Sequence, residues 1–544
     1  MTASTSARAA SPDGFTAWPG DVAARYRRAG WWNGATFGGM LTECAARHAD
    51  RIALRDAVST WTYARLDQQA HRLAAGLHGL GVRRGDRVIV QLPNVGEFAV
   101  VCFALFRIGA LPVLAQPAHR EREIEHICRV SEAAAYIVAD RHLGFDYRGL
   151  GERILAACPS LRHLIVHGDA GGHVALADLY PDPIPLGDAD PGDMALLQLS
   201  GGTTSVPKLI PRTHDDYAYS VRASLEVCPM GPGDVYLGVL PVAHNFPLSS
   251  PGILGALAAG ATVALAPTPD VDEAFALIEK QRVTVAALVP TLAMLWLEEA
   301  EYTAYDLSSL RVLQVGGSRF KPSAAARVRP VLGCTLQQVF GMAEGLVNYT
   351  RLDDPDDIVT ETQGRPMSPG DEVRVVDDED RPVPDGAPGH LLTRGPYTIR
   401  GYYRAPEHNS RSFTADGFYR TGDIVRRLPS GDLIVVDRAK DVVNRAGEKV
   451  PTEEVEEHLL LHPAVRDAAV VAAPDDLLGE RVCAFIVPES DPPSRTDLRT
   501  FLHHRGLAPH KLPDQVEPIT TLPLTAVGKV DKKALRTRLT APPP

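Results

Sequence analysis

The order of elements in this chain predicts an α/β protein: a large N-terminal domain of layered α/β subdomains with a small β-barrel-like region, then a smaller α+β domain. Three observations carry that prediction. Short apolar runs alternate with amphipathic stretches from about residue 37 to residue 290. The texture turns to brief strand-like runs among Pro, Gly and Asp between about 364 and 436. Helix and strand patterns resume beyond residue 437.

The runs 87–92, 136–139, 236–240 and 283–289 are short, continuous and apolar, as strands buried on both faces are. Residues 97–109, 121–134 and 272–281 repeat apolar side chains at helical spacing. Strand and helix in alternation imply largely parallel sheets covered by helices. The runs 372–376, 391–394 and 433–436, separated by turn residues, imply antiparallel pairing. A helix over 452–461 and strands over 468–473 and 482–487 complete a separate unit. The expected division is a core of residues 1–437, whose first 15 residues form a loose tail, and a second domain of residues 441–544.

Bulk composition narrows the function. The 544 residues suffice for more than one hydrophobic core. With 45% hydrophobic and 23% charged residues, the chain is neither disordered, fibrous nor a disulfide scaffold. A net charge of −11 argues against nucleic acid as a partner. Seven scattered cysteines without C-x-x-C spacing read as reduced thiols of a cytoplasmic protein. The N-terminus lacks the apolar centre of a secretion signal, and the apolar stretch 98–106 is too short to span a bilayer, so no membrane partner is expected.

The sharpest local signal is Leu199-Ser-Gly-Gly-Thr-Thr-Ser-Val-Pro-Lys208, which follows a strand-like run over 195–199. Gly201 and Gly202 let backbone N–H groups approach an anion. Ser200, Thr203, Thr204 and Lys208 add hydroxyl donors and a charge. The loop is not a Walker A loop, because Lys208 lies between Pro207 and Leu209. On its own it is equally readable as a flexible surface loop.

This loop resembles the phosphate loop of the adenylate-forming superfamily, with Ser205 where Gly is usual. Five further segments resemble that superfamily's motifs, in its order. Gln314-Val-Gly-Gly-Ser-Arg-Phe320 resembles the turn along the adenine, which implicates Gly317. Val339-Phe-Gly-Met-Ala-Glu-Gly345 resembles the segment that shapes the nucleotide face through Phe340, Gly341, Met342 and Ala343 and meets Mg²⁺ through Glu344. Tyr419-Arg-Thr-Gly-Asp423 implies ribose binding by Asp423. Asp437-Arg-Ala-Lys-Asp441 implies a hinge over 438–440, turning at Lys440, with Arg438 reaching the nucleotide. Val527-Gly-Lys529 implies that Lys529 is the adenylation lysine.

The chemistry asks for these residue types. A carboxylate is activated by attack on the α-phosphorus of ATP while pyrophosphate departs. Two anions must meet, so positioning and charge neutralisation dominate. The resemblance also implies that the small domain swings between two half-reactions, bringing in the segment Arg445-Ala-Gly-Glu-Lys449 with Gly447 and Lys449 for attack by a thiol. Ala446 departs there from a Gly of close relatives.

The run Leu240-Pro-Val-Ala-His-Asn-Phe-Pro-Leu-Ser-Ser-Pro-Gly252 resembles the aryl-acid branch, 2,3-dihydroxybenzoate–AMP ligase-like, which serves siderophore and related peptide synthesis. Asn245 stands where amino-acid-activating members carry an acid. An ammonium needs a buried anion, whereas a phenolic acid needs a neutral polar partner. His244 is expected at the carboxylate, and Phe246, Ser250, Val339 and Val347 around the ring. Ser250 and Val347 match the 2,3-dihydroxybenzoate pattern and favour it over salicylate; Phe246, where Tyr is frequent, does not. The resemblance implies ATP, Mg²⁺, and a phosphopantetheinylated aryl carrier protein supplied in trans, since the chain runs only fifteen residues past Lys529. An aryl-CoA ligase, or a ligase for 3-hydroxyanthranilate or 3-hydroxypicolinate, stays open as an alternative.

Overall fold

The computed structural model describes residues 14–200, 207–438, 443–445, 448–475, 478–505, 507, 511–525 and 529–540; of Asp437, Arg438, Asn444, Glu448, Lys449 and Thr540 the backbone alone is described. Two large sheets form the N-terminal layers. In a seven-stranded sheet, Arg87–Gln91 runs parallel to Leu111–Leu114 on one side and Ala135–Ala139 on the other. At its edge, Met194–Leu199 pairs antiparallel with Leu209–Thr213, the two strands that flank the glycine-rich loop. In a nine-stranded sheet, Val235–Gly238, Val285–Leu288, Val312–Gly316 and Thr335–Gly341 follow one another in parallel.

The helix Gly96–Ile108 is apolar around its whole circumference and is buried accordingly. Its buried charge, Arg107, is matched by Asp67 and by Thr42 Oγ1 at 2.9 Å. Other helices start where side chains cap them: Thr62 Oγ1 accepts from Arg65 N at 3.2 Å at the head of Tyr63–Gly79, and Thr213 and Asp216 form a reciprocal box at the head of His214–Val227.

Asp216 also holds Arg212 in a buried ion pair at 2.7 Å. Arg212 then donates to the backbone carbonyls of Ala343 at 2.8 Å and Tyr397 at 3.0 Å. An edge strand of one sheet is thereby tied to two segments distant in sequence, one of which carries Ala343 and Glu344.

The turn-rich region is a four-stranded antiparallel sheet of Glu372–Val376, Pro388–Arg394, Tyr419–Arg427 and Leu433–Arg438, whose outer strands are not paired to each other. The next described strand, Val443–Arg445, belongs to a different sheet with Glu448–Val450, Gly479–Pro488 and Val465–Asp475, which Gln515–Pro518 joins in parallel. Val443, Val455, Val470, Val482, Leu498 and Leu502 give this last unit its own core.

Boundaries shift where left-handed residues end helices. The helix expected over 121–134 stops at Ser131 because Glu132 adopts φ 49° as its cap. The strand expected from 283 begins at Val285, since Arg282 caps the preceding helix at φ 55°. At the start of the described residues Gly14 O accepts from Arg404 N at 3.1 Å, and Phe15 is partly buried against the apolar cluster that contains Tyr403. All seven cysteines are buried free thiols. Among the described residues no helix is long and apolar enough to cross a membrane.

Candidate active site

The carboxyl ends of Met194–Leu199, Val312–Gly316 and Thr335–Gly341 point to one cavity of about 280 Å³, the usual ligand position in parallel α/β sheets. It brings together Ser200, Lys208, His244, Asn245, Phe246, Ser250, Gly317, Val339, Gly341, Met342, Ala343, Glu344, Val347, Asp423 and Lys529. Phe340 is not in its wall. Val339 and Gly341 line the cavity, and the half-buried Phe340 packs, with Met342, on the cluster of Leu346 and Val375. Gly201, Gly202, Thr203, Thr204, Lys440 and Gly447 lie outside the described residues, as do the side chains of Arg438 and Lys449.

One end of the cavity is neutral. His244 caps the short helix Asn245–Ser249, its Nδ1 accepting from Phe246 N at 3.3 Å. That bond places the imidazole proton on Nε2. Enclosure first, and then the Lys529 ammonium, push the His244 pKa down to about 4, so the ring is neutral at physiological pH. Asn245 Oδ1 accepts from Tyr217 Oη at 2.8 Å and from Ser249 Oγ at 3.3 Å. Its Nδ2 has no protein partner among the described residues. Ser250 is buried in this wall. Two glycines make room for the walls: a Cβ on Gly341 would stand 2.9 Å from Val347 Cγ1, and one on Gly316 would stand 3.1 Å from Phe246 Cζ.

The other end is charged. Ser200 and Lys208 close the neck of the glycine-rich loop, Ser200 N donating to Lys208 O at 2.9 Å and Lys208 N to Ser200 Oγ at 3.0 Å. Glu344 is buried and accepts from Tyr402 Oη through Oε1 at 2.7 Å. The Tyr402 and Tyr419 hydroxyls are 2.8 Å apart, and Lys208 Nζ stands 5.4 Å from the Tyr402 ring centre. Asp423 is buried beside Thr421, whose hydroxyl accepts from its N–H at 3.0 Å.

Between the two ends sits Lys529. Gly317 has φ +94°, and a Cβ there would meet Lys529 Cε at 3.4 Å, so the lysine stem lies across this glycine. Two residues further along the same turn, Arg319 forms an ion pair at 2.6 Å with Glu457 of the helix Thr452–Leu459. The small C-terminal unit thus delivers its lysine to a cavity built by the large one.

Tyr402, His408 and Ser412 also line the cavity, although sequence reasoning did not single them out. They come from a turn-rich stretch whose only signal was the aromatic pair Tyr402-Tyr403 within polar surroundings.

The floor beneath Val347 contains a titrating group. Val347 N donates to Tyr397 Oη at 3.2 Å, and Tyr397 donates to Asp371 Oδ2 at 2.5 Å. Burial outweighs the bonds from Tyr397 and Ser368 and raises the Asp371 pKa to about 8. The folded chain therefore keeps a proton that the unfolded chain releases above about pH 4, and stability falls as pH rises from there to about 8. Asp371→Asn removes the titration while keeping an acceptor for Tyr397. In thermal melts its Tm should gain on the parent as pH rises through that window, by about 1 °C per kcal/mol for a unit of this size. Parallel pH curves for the two proteins would exclude a buried proton at Asp371.

Comparison with known proteins agrees with this geometry. Residues 41–403 match the family model described as AMP-binding enzyme, and residues 454–529 match that of the AMP-binding enzyme C-terminal domain. The chain is 58% identical to the 2,3-dihydroxybenzoate-AMP ligase of Bacillus subtilis, over 96% of this chain and 97% of that one. It is 50% identical to a salicyl-AMP ligase / salicyl-S-ArCP synthetase of Mycobacterium tuberculosis, over 97% and 96% of the two chains. Among solved structures, apo MbtA of Mycobacterium smegmatis is similar with a TM-score of 0.75 and 49% identity, covering 97% of this chain and 99% of that one.

Proposed function

Because the chain belongs to the AMP-binding enzyme family, we propose that it converts a phenolic aryl acid and ATP to the aryl adenylate and pyrophosphate, with 2,3-dihydroxybenzoate the favoured acid and salicylate next. It then passes the aryl group to the phosphopantetheine thiol of an aryl carrier protein supplied in trans, with release of AMP, in the cytoplasm, as a step of siderophore or related peptide synthesis. The observation that carries the choice of acid is the neutral end of the cavity. Asn245, Phe246, Ser250, Val339 and Val347 surround it without a carboxylate, so an amino acid's ammonium would be buried unpaired. The names of the two curated relatives support the same pair of acids.

In the first half-reaction a carboxylate oxygen bonds to the α-phosphorus and the bond from that phosphorus to the bridging oxygen of pyrophosphate breaks. Neutral His244 offers its Nε2–H to the carboxylate. Lys529, as a point charge on a flexible stem, offsets the repulsion between the carboxylate and the α-phosphate. Lys208 and the loop it closes hold the leaving pyrophosphate, and Asp423 accepts from the ribose hydroxyls. Glu344 suits Mg²⁺, since Tyr402 occupies one of its oxygens and the other has no protein partner among the described residues. No group of three or more potential ligand side chains occurs among the described residues, as suits an ion held mainly by phosphates and water. When bound, Mg²⁺ neutralises phosphate charge. In the second half-reaction the small domain turns at Lys440, Lys529 withdraws, and the segment with Gly447 and Lys449 faces the thiol.

ATP–pyrophosphate exchange across 2,3-dihydroxybenzoate, salicylate, 3-hydroxyanthranilate, 3-hydroxypicolinate and benzoate tests the reading. The expected order begins with 2,3-dihydroxybenzoate and then salicylate. Salicylate well ahead would overturn the roles given to Ser250 and Val347.

A further inference from the structure

We propose that Tyr217 is a specificity-determining positioning residue: its hydroxyl fixes the Asn245 amide with the N–H side facing the substrate, so that the pocket selects an ortho oxygen and rejects an ortho amine. The inference rests on the aryl-acid reading above and extends it to a residue that does not itself reach the substrate.

The direction of each hydrogen bond follows from what each group can do. Gln198 Nε2, a donor only, lies 3.3 Å from Tyr217 Oη and occupies one lone pair of that oxygen. The phenolic hydrogen is then directed to Asn245 Oδ1 at 2.8 Å. Tyr217 is fully buried and its ring is fixed beneath the Arg212 guanidinium, 4.6 Å from the ring centre. Burial raises its pKa, so the hydroxyl keeps its hydrogen. Ser249 Oγ is a second, weaker donor to Asn245 Oδ1 at 3.3 Å, because it also donates to the Asn245 backbone carbonyl at 3.1 Å. Two donors therefore meet Oδ1, and the amide can turn only by setting its own N–H₂ against Tyr217. Nδ2 is left facing the cavity as a donor.

The consequence for the substrate is chemical. In a 2-hydroxybenzoate the ortho hydroxyl gives its hydrogen to the neighbouring carboxylate and leaves a lone pair for Asn245 Nδ2–H. In 2-aminobenzoate the nitrogen gives one hydrogen to the carboxylate and turns its second N–H toward Asn245. Donor then faces donor, and two buried groups lose their partners. Tyr217→Phe keeps the ring and removes the hydroxyl. Oδ1 keeps only the shared Ser249 donor, and the amide becomes free to present its carbonyl to an ortho amine.

The test is kcat/KM for adenylation of salicylate, 2-aminobenzoate and benzoate by the full chain, with benzoate as the internal reference because it has no ortho group. In Tyr217→Phe the salicylate-to-benzoate ratio should fall and the 2-aminobenzoate-to-benzoate ratio should rise. Each should move by about threefold to tenfold, the size of effect one misplaced hydrogen bond gives. Most of the salicylate change should appear in KM. Ser249→Ala removes the second donor, and its ratios should move in the same directions by less; it serves if Tyr217→Phe does not fold. Equal losses on all three acids, or unchanged ratios in both variants, would overturn the proposal. A parent chain that adenylates none of the phenolic acids would overturn the function reading itself, and this inference with it.

Discussion

Lys529→Ala is expected to lower the rate of aryl-adenylate formation by about 10²–10³-fold, the usual effect of removing one preorganised electrostatic group from a reacting centre. The effect should be this large because the lysine is held where charge must be neutralised. Its backbone N–H donates to Thr525 Oγ1 at 3.2 Å and its stem crosses Gly317. Its charge is one of the two causes that depress His244. No other side chain of the small unit lines the cavity among the described residues. The loss should fall on kcat, since the lysine bridges groups that repel most strongly as the bond forms. Transfer from supplied aryl adenylate to a carrier thiol should be largely spared, because in the proposed cycle Lys529 has then withdrawn. Unaltered pyrophosphate exchange in this variant would remove Lys529 from the chemistry.

Asn245→Asp is expected to cost about 10²–10³-fold in kcat/KM with 2,3-dihydroxybenzoate. The substitution keeps the shape and keeps an acceptor for Tyr217 and Ser249. It replaces the Asn245 N–H₂ that faces the ortho group with a carboxylate oxygen. An acceptor then confronts the ortho oxygen, and a negative charge lies near the carboxylate of the acid. The loss should shrink at low pH, where the new carboxyl is protonated and donates again. A variant as active as the parent at neutral pH would place the ortho group elsewhere.

Much of this site was legible in the sequence because its residues fall in short segments with their own chemistry. Lys208, Glu344, Asp423 and Lys529 each lie beside glycines or hydroxyls whose spacing is local, and the structure gathers them in one cavity. The parallel layers were legible for a similar reason, since strands buried on both faces have to be continuously apolar. What was not legible depends on contacts across long sequence separation. Tyr402 joins Glu344 over 58 residues and Arg212 joins Ala343 over 131. Tyr217, within a helix, reads as an ordinary core aromatic until the fold sets it beside Asn245. The helix end at Ser131 and the strand start at Val285 were misplaced by a few residues because Glu132 and Arg282 take left-handed caps that glycine usually fills.

The central claim is attack of an aryl carboxylate on the α-phosphorus of ATP. Its most direct test is the product set when the purified chain is mixed with ATP, Mg²⁺ and 2,3-dihydroxybenzoate without any thiol. The account predicts 2,3-dihydroxybenzoyl-AMP and an equal amount of pyrophosphate, both dependent on the acid. ADP with inorganic phosphate, or pyrophosphate release that ignores the acid, would contradict it.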